Sequence, residues 1–230
     1  MLDIFILDNR NRLEKKYLDK LLSYVSSEKK ARISRFHKFE DAQCSLLGDL
    51  LARYFICQRL GIKNNNLTFG LNEYGKPILL APSRIDFNIA HSGNWVVCAV
   101  DDNPVGIDVE VVKPVDFQIA KNYFSKEEYN NLMDQPPEMR LKYFYSLWTL
   151  KESYIKAEGK GFNIPLDSFT IKTDMNAVSL SSSYRLKDYN FFLCNVDSET
   201  ICATCSLDKH PQKYFYNMEQ FVERLICNWL

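Results

Sequence analysis

The stretch from Phe144 to Gly161 constrains the fold most, because it must form a helix whose two faces differ in chemistry. Apolar side chains recur through it at helical spacing, and the glycine at position 159 or 161 predicts its end, since glycine readily adopts the left-handed conformation that caps helices. Glu152 and Lys156 are four residues apart and share one face, with Trp148 one turn earlier on that face. Taken alone, the pair is interpreted as an ordinary surface ion pair, which adds little stability.

A second stretch, from Pro104 to Pro114, gives that pair another interpretation. Valine and isoleucine alternate here with small or acidic residues, among them Asp108 and Glu110, and a period of two predicts a strand. The two carboxylates then share a face, where they repel each other unless a cation lies between them. That face is either simply solvated or a site for a hard cation. In the second case Glu152 would complete a Mg2+ site with oxygen ligands.

Seven motifs follow one another in order over most of the chain. They are SEKKARISRF, DAQCSLLGDLLAR, EYGKP, FNIAHSGNWVVCAV, GIDVE, FSKEEY and WTLKESYIKAEGKG. Each is weak alone, but in this order they resemble the 4′-phosphopantetheinyl transferases, and within them the larger, surfactin-synthetase-activating (Sfp-type) group. The resemblance implies an α+β fold of two similar halves, related by a pseudo-twofold axis, with coenzyme A between them.

The segment Asp101 to Pro104 is the best internal boundary. Each side of it offers strands and a long helix ended by glycine, a repeat too faint to establish from residues alone. By resemblance, residues 1–104 form an N-terminal subdomain for the nucleotide end of coenzyme A. Residues 105–230 form a C-terminal subdomain with the metal site, the catalytic helix and the carrier-docking surface. The chain ends in a predicted packing helix from Asn217 to Leu230.

Composition limits the class of protein. At 230 residues, with 46% hydrophobic and 25% charged residues, the chain is typical of soluble globular proteins. The net charge is zero, so nothing calls for a nucleic-acid partner. The N-terminal apolar run is too short for a signal peptide and no stretch approaches membrane-spanning length, so we expect a cytoplasmic protein without a membrane partner. The family expectation for this size is a monomer.

Seven cysteines are an odd number for a chain without an export signal, which indicates reduced thiols. Cys202 and Cys205 form a CxxC, but they lie in ICATCSL, which predicts a buried strand. There is no second CxxC, and the sequence has only three histidines. Ordinary buried cysteines are therefore favoured over a zinc or redox site.

Positive charge near residue 30 offers a phosphate-binding patch or merely a solvated helix face. Ser27 is the predicted N-cap of this short helix. By resemblance, Lys29 and Arg32 hold the 3′-phosphate of coenzyme A; the family often has lysine in place of Arg32. Ser45 matches a small hydroxyl residue that contacts the coenzyme, although a serine on a helix is often incidental.

The stretch Asn72 to Pro77 predicts a turn, and Gly75 and Pro77 alone imply no more than that. By resemblance, Lys76 and the backbone around it line the adenine and phosphate end of coenzyme A.

Two strands are predicted from Arg84 to Val100, around His91. A lone histidine in such a loop is commonly structural, but by resemblance His91 donates a hydrogen bond to the coenzyme pyrophosphate. Relatives commonly have serine where this chain has Ala90. One phosphate-facing hydroxyl is then absent, which would weaken coenzyme binding without changing the reaction.

Ser125 and Glu128 form the S-x-x-E pattern of a capping box, which alone explains Glu128. The resemblance implies a second role for Glu128, as the base that takes the proton of the incoming serine. The two roles do not exclude each other, and a metal-polarised water is the alternative base.

The implied reaction moves the phosphopantetheine arm of coenzyme A to a serine of a carrier protein and releases adenosine 3′,5′-bisphosphate. A Mg2+ ion held by Asp108, Glu110 and Glu152 would neutralise the pyrophosphate oxygens. His91 and Lys156 would stabilise charge on the leaving phosphate, with Lys156 staying protonated. Trp148 would pack beside Glu152 and fix its rotamer.

Two other classes remain open. A Mg2+-dependent phosphohydrolase would use the same carboxylates, and a non-catalytic module would bind coenzyme A or a carrier without needing all of them. A P-loop NTPase is disfavoured because GxxxxGK[ST] does not occur. The carrier itself is open, since peptidyl carriers of nonribosomal synthetases, polyketide carriers and fatty-acid acyl carriers are all compatible with the sequence.

Overall fold

The computed structural model describes residues 1–82, 85–174, 177–182 and 188–228. The strands are β1 (Asp3–Asp8), β2 (Thr68–Leu71), β3 (Pro77–Ala81), β4 (Asp86–Ser92), β5 (Trp95–Asp101), β6 (Val105–Val111), β7 (Phe169–Asp174), β8 (Ala177–Ser182), β9 (Asn190–Asn195), β10 (Thr200–Ser206) and β11 (Gln212–Asn217). The helices are α1 (Lys15–Ser23), α2 (Ser27–Ile33), α3 (Phe39–Leu60), α4 (Gln118–Tyr123), α5 (Lys126–Asp134), α6 (Pro137–Glu158) and α7 (Met218–Asn228). The predicted strand start at Arg84 and helix end at Leu230 lie outside the described residues.

The two halves of the chain repeat one arrangement of elements. The first half runs through β1, α3, the hairpin β2–β3 and the hairpin β4–β5, and the second through β6, α6, the hairpin β7–β8 and the hairpin β9–β10. The sheet order is β1-β5-β4 in the first half and β6-β10-β9 in the second, with antiparallel pairing throughout. This confirms the predicted α+β fold of two similar halves.

Helices α3 and α6 are 22 residues each and end at a left-handed glycine, Gly61 with φ 63° and Gly159 with φ 69°. Helix α6 therefore ends at the first of its two candidate glycines. It begins at Pro137, earlier than predicted, with proline in the first turn where its missing N–H costs nothing. Within the described ranges, none of the helices combines the length and apolar character that crossing a bilayer requires.

Strands β4 and β6 lie side by side and join the two halves through side chains. The N–H groups of Val105, Ile107 and Val111 donate to side chains of β4 at distances of 2.9, 2.9 and 3.1 Å. Each bond joins residues 19 apart, so the strands run in the same direction. The same offset brings His91 level with Glu110.

Helix α6 packs directly on β6 because Gly106 has no side chain. A Cβ at Gly106 would lie 2.0 Å from the carbonyl oxygen of Ser153 and 2.4 Å from the amide nitrogen of Ala157, both backbone atoms of α6. No other residue permits so close an approach. This contact brings the polar face of α6 over Asp108, so the face of β6 that bears Asp108 is covered and not solvated.

The C-terminal segment returns to the first half. Strand β11 pairs in parallel with β1, and Phe221 and Leu225 of α7 are fully buried in the core that contains α3. Strand β11 was not predicted. The division at residues 104 and 105 stays a prediction, and the structure shows that β11 and α7 also pack against elements of the first half.

Candidate active site

Three carboxylates lie at the contact between β6 and α6. Asp108 is 5% exposed and Glu152 is 9% exposed, while Glu110 is half-buried. Burial raises the pKa of all three, and repulsion from the neighbouring carboxylates adds to this for Glu110 and Glu152. The pKa of Glu152 is raised to about 7. The three carboxylates therefore form a region of negative charge that water solvates poorly.

Lys156 partly compensates this charge. Its Nζ lies 2.6 Å from Oδ1 of Asp108. Burial opposes the charge on Lys156, but Asp108, Glu152 and Glu110 together raise its pKa above the ordinary lysine value. Lys156 is thus a permanent cation in this site and cannot serve as a base near neutral pH.

Two carboxylate oxygens of the site have no hydrogen-bond donor within the described ranges, even with Lys156 present. Among the residues that the structure describes, none donates a hydrogen bond to Oδ2 of Asp108 or Oε1 of Glu152, although both atoms are buried. Buried polar atoms are nearly always paired, so a missing ion or ligand is the natural explanation. An all-oxygen donor set is the kind that Mg2+ prefers.

The donor chemistry fits Mg2+, but the ligands are not gathered in advance. Across the described ranges, no three His, Cys, Asp or Glu side chains already surround one point. Lys156 takes one oxygen of Asp108, and the hydroxyl of Ser92 donates to Oε2 of Glu110 at 2.9 Å. Binding of a cation would therefore require these side chains to turn towards it.

Three basic side chains from different elements converge beside the carboxylates. Partial desolvation lowers the pKa of His91, and the charges of Lys156 and Lys29 lower it as well. The carboxylate of Asp41 has the opposite effect. Burial likewise lowers the pKa of Lys29. With its pKa lowered, His91 is an uncharged hydrogen-bond donor at neutral pH, and Lys156 and Lys29 supply the positive charge that suits a phosphate.

Helix α2 places Lys29 at its first turn and the exposed Arg32 near its end. The hydroxyl of Ser26 accepts the N–H of Lys29 at 3.2 Å. The N-cap is therefore Ser26, and the predicted cap at Ser27 is wrong by one residue. Ser45 is half-buried on α3, and its contact with coenzyme stays a prediction.

Lys76 lies where β4 and β6 both begin. Its Nζ lies 2.6 Å from Oδ2 of Asp86 and 3.0 Å from the carbonyl oxygen of Val105. The turn that includes Gly75, with φ 86°, precedes Pro77 at the start of β3. The ammonium is thus engaged within the protein, which leaves the backbone of this turn as the part that can face a nucleotide.

Glu128 is fully buried, and its carboxylate is saturated with donors. Lys151 donates to both oxygens at 2.7 Å, the N–H of Ile171 donates to Oε1 at 2.7 Å, and the N–H of Ser125 donates to Oε2 at 2.8 Å. The hydroxyl of Ser125 accepts the N–H of Glu128, which confirms the capping box. A substrate hydroxyl cannot reach these oxygens without breaking that set, so the geometry argues against the base role.

The sequence analysis did not identify Lys151 as a buried residue, because it is one of several charged residues on α6. Its side chain is 0% exposed, and its Nζ lies 4.1 Å from the centre of the Phe169 ring. The signal was present, since Lys151 falls on the same helical stripe as the buried Leu147 and Tyr154. A lysine at such a position needs a buried partner.

Trp148 packs among aromatic rings, and its contact with Glu152 stays a prediction. Its ring centre lies 5.9 Å from that of Phe144 and 6.2 Å from that of Tyr123. It also lines an open groove of about 720 Å³ that includes the exposed ring of Phe162. The groove starts one turn of α6 before Glu152.

Comparisons with known proteins identify the family of the chain. Residues 12–103 match the family model described as 4′-phosphopantetheinyl transferase, N-terminal, and residues 104–205 match the 4′-phosphopantetheinyl transferase superfamily. The 4′-phosphopantetheinyl transferase Sfp of Bacillus subtilis (strain 168) is 44% identical over 67% of this chain and 69% of its own length. The 4′-phosphopantetheinyl transferase gsp of Aneurinibacillus migulanus is 37% identical over 90% of this chain and 86% of its own.

Among solved structures, a holo-(acyl-carrier-protein) synthase from Bacillus anthracis in complex with CoA (3′,5′-ADP) matches with a TM-score of 0.38 and 18% identity. It covers 46% of this chain and 96% of that one, and the likeness is too low to argue from. The sequence matches show that the chain is a phosphopantetheinyl transferase. The chain belongs to the 4′-phosphopantetheinyl transferase family, in its Sfp-type group, and is an enzyme of that type.

Proposed function

We propose that this enzyme transfers the 4′-phosphopantetheine arm of coenzyme A to a serine of an apo carrier protein, with Mg2+, and releases adenosine 3′,5′-bisphosphate. One observation carries the proposal: Oδ2 of Asp108 and Oε1 of Glu152 are buried without a donor among the described residues, and the ammonium of Lys156 lies 2.6 Å from the other oxygen of Asp108. A site that holds excess carboxylate and excess ammonium side by side suits a divalent cation together with a polyphosphate.

The carboxylates of Asp108, Glu110 and Glu152 would hold the cation. When bound, Mg2+ supplies positive charge to the pyrophosphate oxygens that would otherwise repel an incoming alcohol. Lys156, a permanent cation, and His91 stabilise the negative charge that develops on the leaving phosphate. These two side chains act without reorganisation because the packing of α6 on β6 and the level pairing of β4 with β6 already hold them.

The serine proton needs an acceptor, and this geometry favours Glu152 over Glu128. Among the described residues none donates a hydrogen bond to Oε1 of Glu152, so this oxygen can accept one from the substrate hydroxyl. Glu128 is enclosed by donors. A carboxylate has two oxygens, so Glu152 can face the cation with one and the substrate hydroxyl with the other.

The carrier docks, in this proposal, along the groove beside Trp148. Exposed apolar side chains line it from α4 and from the segment after α6; they are Ile119, Tyr123 and Phe162. Phe162 is 71% exposed, and contiguous exposed apolar surface of this kind marks a protein-binding site. Peptidyl, polyketide and fatty-acid carriers all remain candidates for the partner.

Incubation of a panel of apo carriers with coenzyme A and Mg2+ tests the function directly. We expect a phosphopantetheine adduct on the carrier serine by intact-protein mass spectrometry, and none in the presence of a chelator. A parallel reaction without carrier separates the rival classes. Release of phosphopantetheine to water would indicate a phosphohydrolase, and coenzyme binding without either product would indicate a non-catalytic module.

The double variant Lys29→Ala, Arg32→Ala is expected to raise the KM for coenzyme A by about 10–100-fold, since each charge-assisted contact with phosphate contributes roughly a factor of ten. The KM for 3′-dephospho-coenzyme A should not change. Lys30→Ala, which removes an exposed lysine of the same helix, is the matched control. Equal effects on both substrates would assign Lys29 and Arg32 a role other than 3′-phosphate recognition.

Phe162→Ser is expected to raise the KM for the apo carrier by about 10–100-fold, because burying one large apolar side chain contributes roughly 1.5–3 kcal/mol. The KM for coenzyme A should stay at the wild-type value. Phe215→Ser on β11, where the ring is 60% exposed, provides a control for loss of a surface aromatic. If Phe215→Ser had the same effect as Phe162→Ser, the carrier would not dock in this groove.

A further inference from the structure

The CxxC of Cys202 and Cys205 is not a thiol pair in the folded protein. Both residues lie on β10, where residues three apart point to opposite faces. Cys202 belongs to the core shared with Val109, whereas Cys205 belongs to the core around α6. The motif therefore does not bring its two sulfur atoms together.

Cys202 has a different partner, Cys194 on the neighbouring strand β9. The two residues are directly opposed in the antiparallel pairing. Directly opposed Cα atoms lie about 4.5–5.5 Å apart, within the range of about 4.4–6.8 Å that a disulfide spans. The two thiols are also close enough to shift each other's pKa. The pairing of β9 with β10 therefore already holds the two backbones at a separation that a disulfide can span.

Cys194 also has the surroundings of a reactive thiol. It is half-buried on β9, the edge strand of its sheet, whereas Cys44, Cys57 and Cys98 are buried. The neighbouring Cys202 thiol and the ammonium of Lys213 lower the pKa of the Cys194 thiol, whereas burial alone would raise it, and the net value is about 7. Thiolate character with solvent access determines which cysteines oxidise.

We propose that Cys194 and Cys202 form a reversible modification site, which hydroperoxides oxidise to a disulfide across β9 and β10. The sulfur of Cys194 attacks one peroxide oxygen, the O–O bond breaks, and the leaving hydroxide takes up a proton to give water and a sulfenic acid. The sulfur of Cys202 then attacks that of Cys194, loses its proton, and a second water leaves. Two thiols and one hydrogen peroxide give one disulfide and two waters, with two electrons passing from sulfur to oxygen.

The site is separate from the catalytic machinery. Cys202 lies opposite Val109 on β6, and alternation along the strand places Asp108 and Glu110 on the other face. The pair instead lies near the junction of the two sheets, where Lys213 of β11 approaches β9. Oxidation would covalently tie the edge strand β9 to β10, a strand that pairs with β6. In a reducing compartment such a bond is transient, as redox-responsive disulfides are.

Peptide mapping of the intact native enzyme after brief exposure to hydrogen peroxide tests the proposal. After alkylation of free thiols, we expect a peptide containing Cys194 linked to one containing Cys202, lost on treatment with dithiothreitol. Linkage of Cys202 to Cys205, linkage of either residue through the exposed Cys227, or two unlinked thiols would overturn it.

Single variants show which sulfur atom attacks the peroxide and which one then closes the disulfide. Cys202→Ser should leave Cys194 trapped as a sulfenic acid that dimedone labels, and Cys194→Ser should leave Cys202 as a free thiol. Cys205→Ser and Cys227→Ser are controls in which the link should form as in the wild type. Dimedone labelling of Cys202 in the Cys194→Ser variant would show that the order of attack is wrong. Wild-type mapping remains decisive if a variant fails to fold.

Discussion

Asp108→Asn is expected to lower kcat/KM for transfer by at least about 100-fold, because even residues that only support a metal ligand contribute about 10–100-fold. Asparagine has nearly the shape of aspartate but not its charge. It keeps one oxygen for Lys156 and removes the anionic ligand that β6 presents to the cation. The measurement is steady-state transfer to an apo carrier at saturating Mg2+ and coenzyme A.

The same variant should remain folded. Burial raises the pKa of Asp108, so its ionised form is held at a cost that asparagine avoids. Lys156 loses one counter-charge but keeps Glu152 and Glu110 nearby. The thermal unfolding midpoint without Mg2+ should therefore match or exceed that of the wild type, while the increase in the midpoint on adding Mg2+ should largely disappear.

Asp134→Asn, at the exposed end of α5, is the matched control and should leave transfer unchanged. Full activity in Asp108→Asn would remove the metal assignment, whatever the stability. A drop in activity with an undiminished Mg2+ effect on the unfolding midpoint would place the cation elsewhere and leave Asp108 a role in binding the coenzyme alone.

Local patterns in the sequence were sufficient for the elements that carry the site. Alternation along β6 predicted one face for Asp108 and Glu110, and helical spacing predicted one face for Glu152 and Lys156. That the two faces meet was only one of the interpretations that the residues left open, and the family resemblance favoured it. The physical reason for the meeting is Gly106, whose missing side chain lets α6 approach, and a glycine within a strand does not by itself identify the element that packs on it.

Contacts between distant parts of the chain were not predictable from pattern. Strand β11 pairs with β1 across almost the whole chain, and a strand formed by such pairing has no local signature. The same holds for Cys194 and Cys202, whose pairing depends on the register of a hairpin. The sequence analysis favoured ordinary buried cysteines for Cys202 and Cys205, and the structure shows that Cys202 is paired across the strands with Cys194.

The capping box at Ser125 and Glu128 is local and was predicted correctly, but the buried partner of Glu128 was not. Local spacing cannot show that Lys151, 23 residues further along, will donate to the same carboxylate. This matters for function, because a carboxylate that seems available in the sequence is fully used in the fold. An experiment can therefore separate the two roles that the sequence left open for Glu128.

Glu128→Gln is expected to lower the free energy of unfolding by about 3–5 kcal/mol, because it leaves the buried ammonium of Lys151 without its counter-charge. For a chain of this size the unfolding midpoint should fall by about 6–20 °C. Glu127→Gln is the matched control. Its carboxylate pairs with Lys172 at 3.0 Å with both side chains about half exposed, so its removal should cost less than about 1 kcal/mol.

The loss should depend on pH in a defined direction. Burial lowers the pKa of Lys151 to about 8, and Glu128 limits that decrease. Without Glu128 the folded-state pKa of Lys151 falls further, while the unfolded-state value does not change. The folded state then binds the proton less tightly than the unfolded state, so the destabilisation is greatest at neutral pH and below. It shrinks as the pH rises towards about 8 and is nearly absent above that value, where Lys151 is neutral in the wild type as well.

Activity distinguishes this structural role from catalysis. Measured well below its unfolding midpoint, Glu128→Gln should keep a kcat close to that of the wild type, whereas loss of a general base would lower kcat by about 10²–10⁴-fold. The double variant Glu128→Gln, Lys151→Met removes the stranded charge and should recover most of the stability, since apolar replacements of buried ion pairs are commonly tolerated. An unchanged midpoint with a collapsed kcat, persisting in the double variant, would return Glu128 to the role of base and remove Glu152 from it.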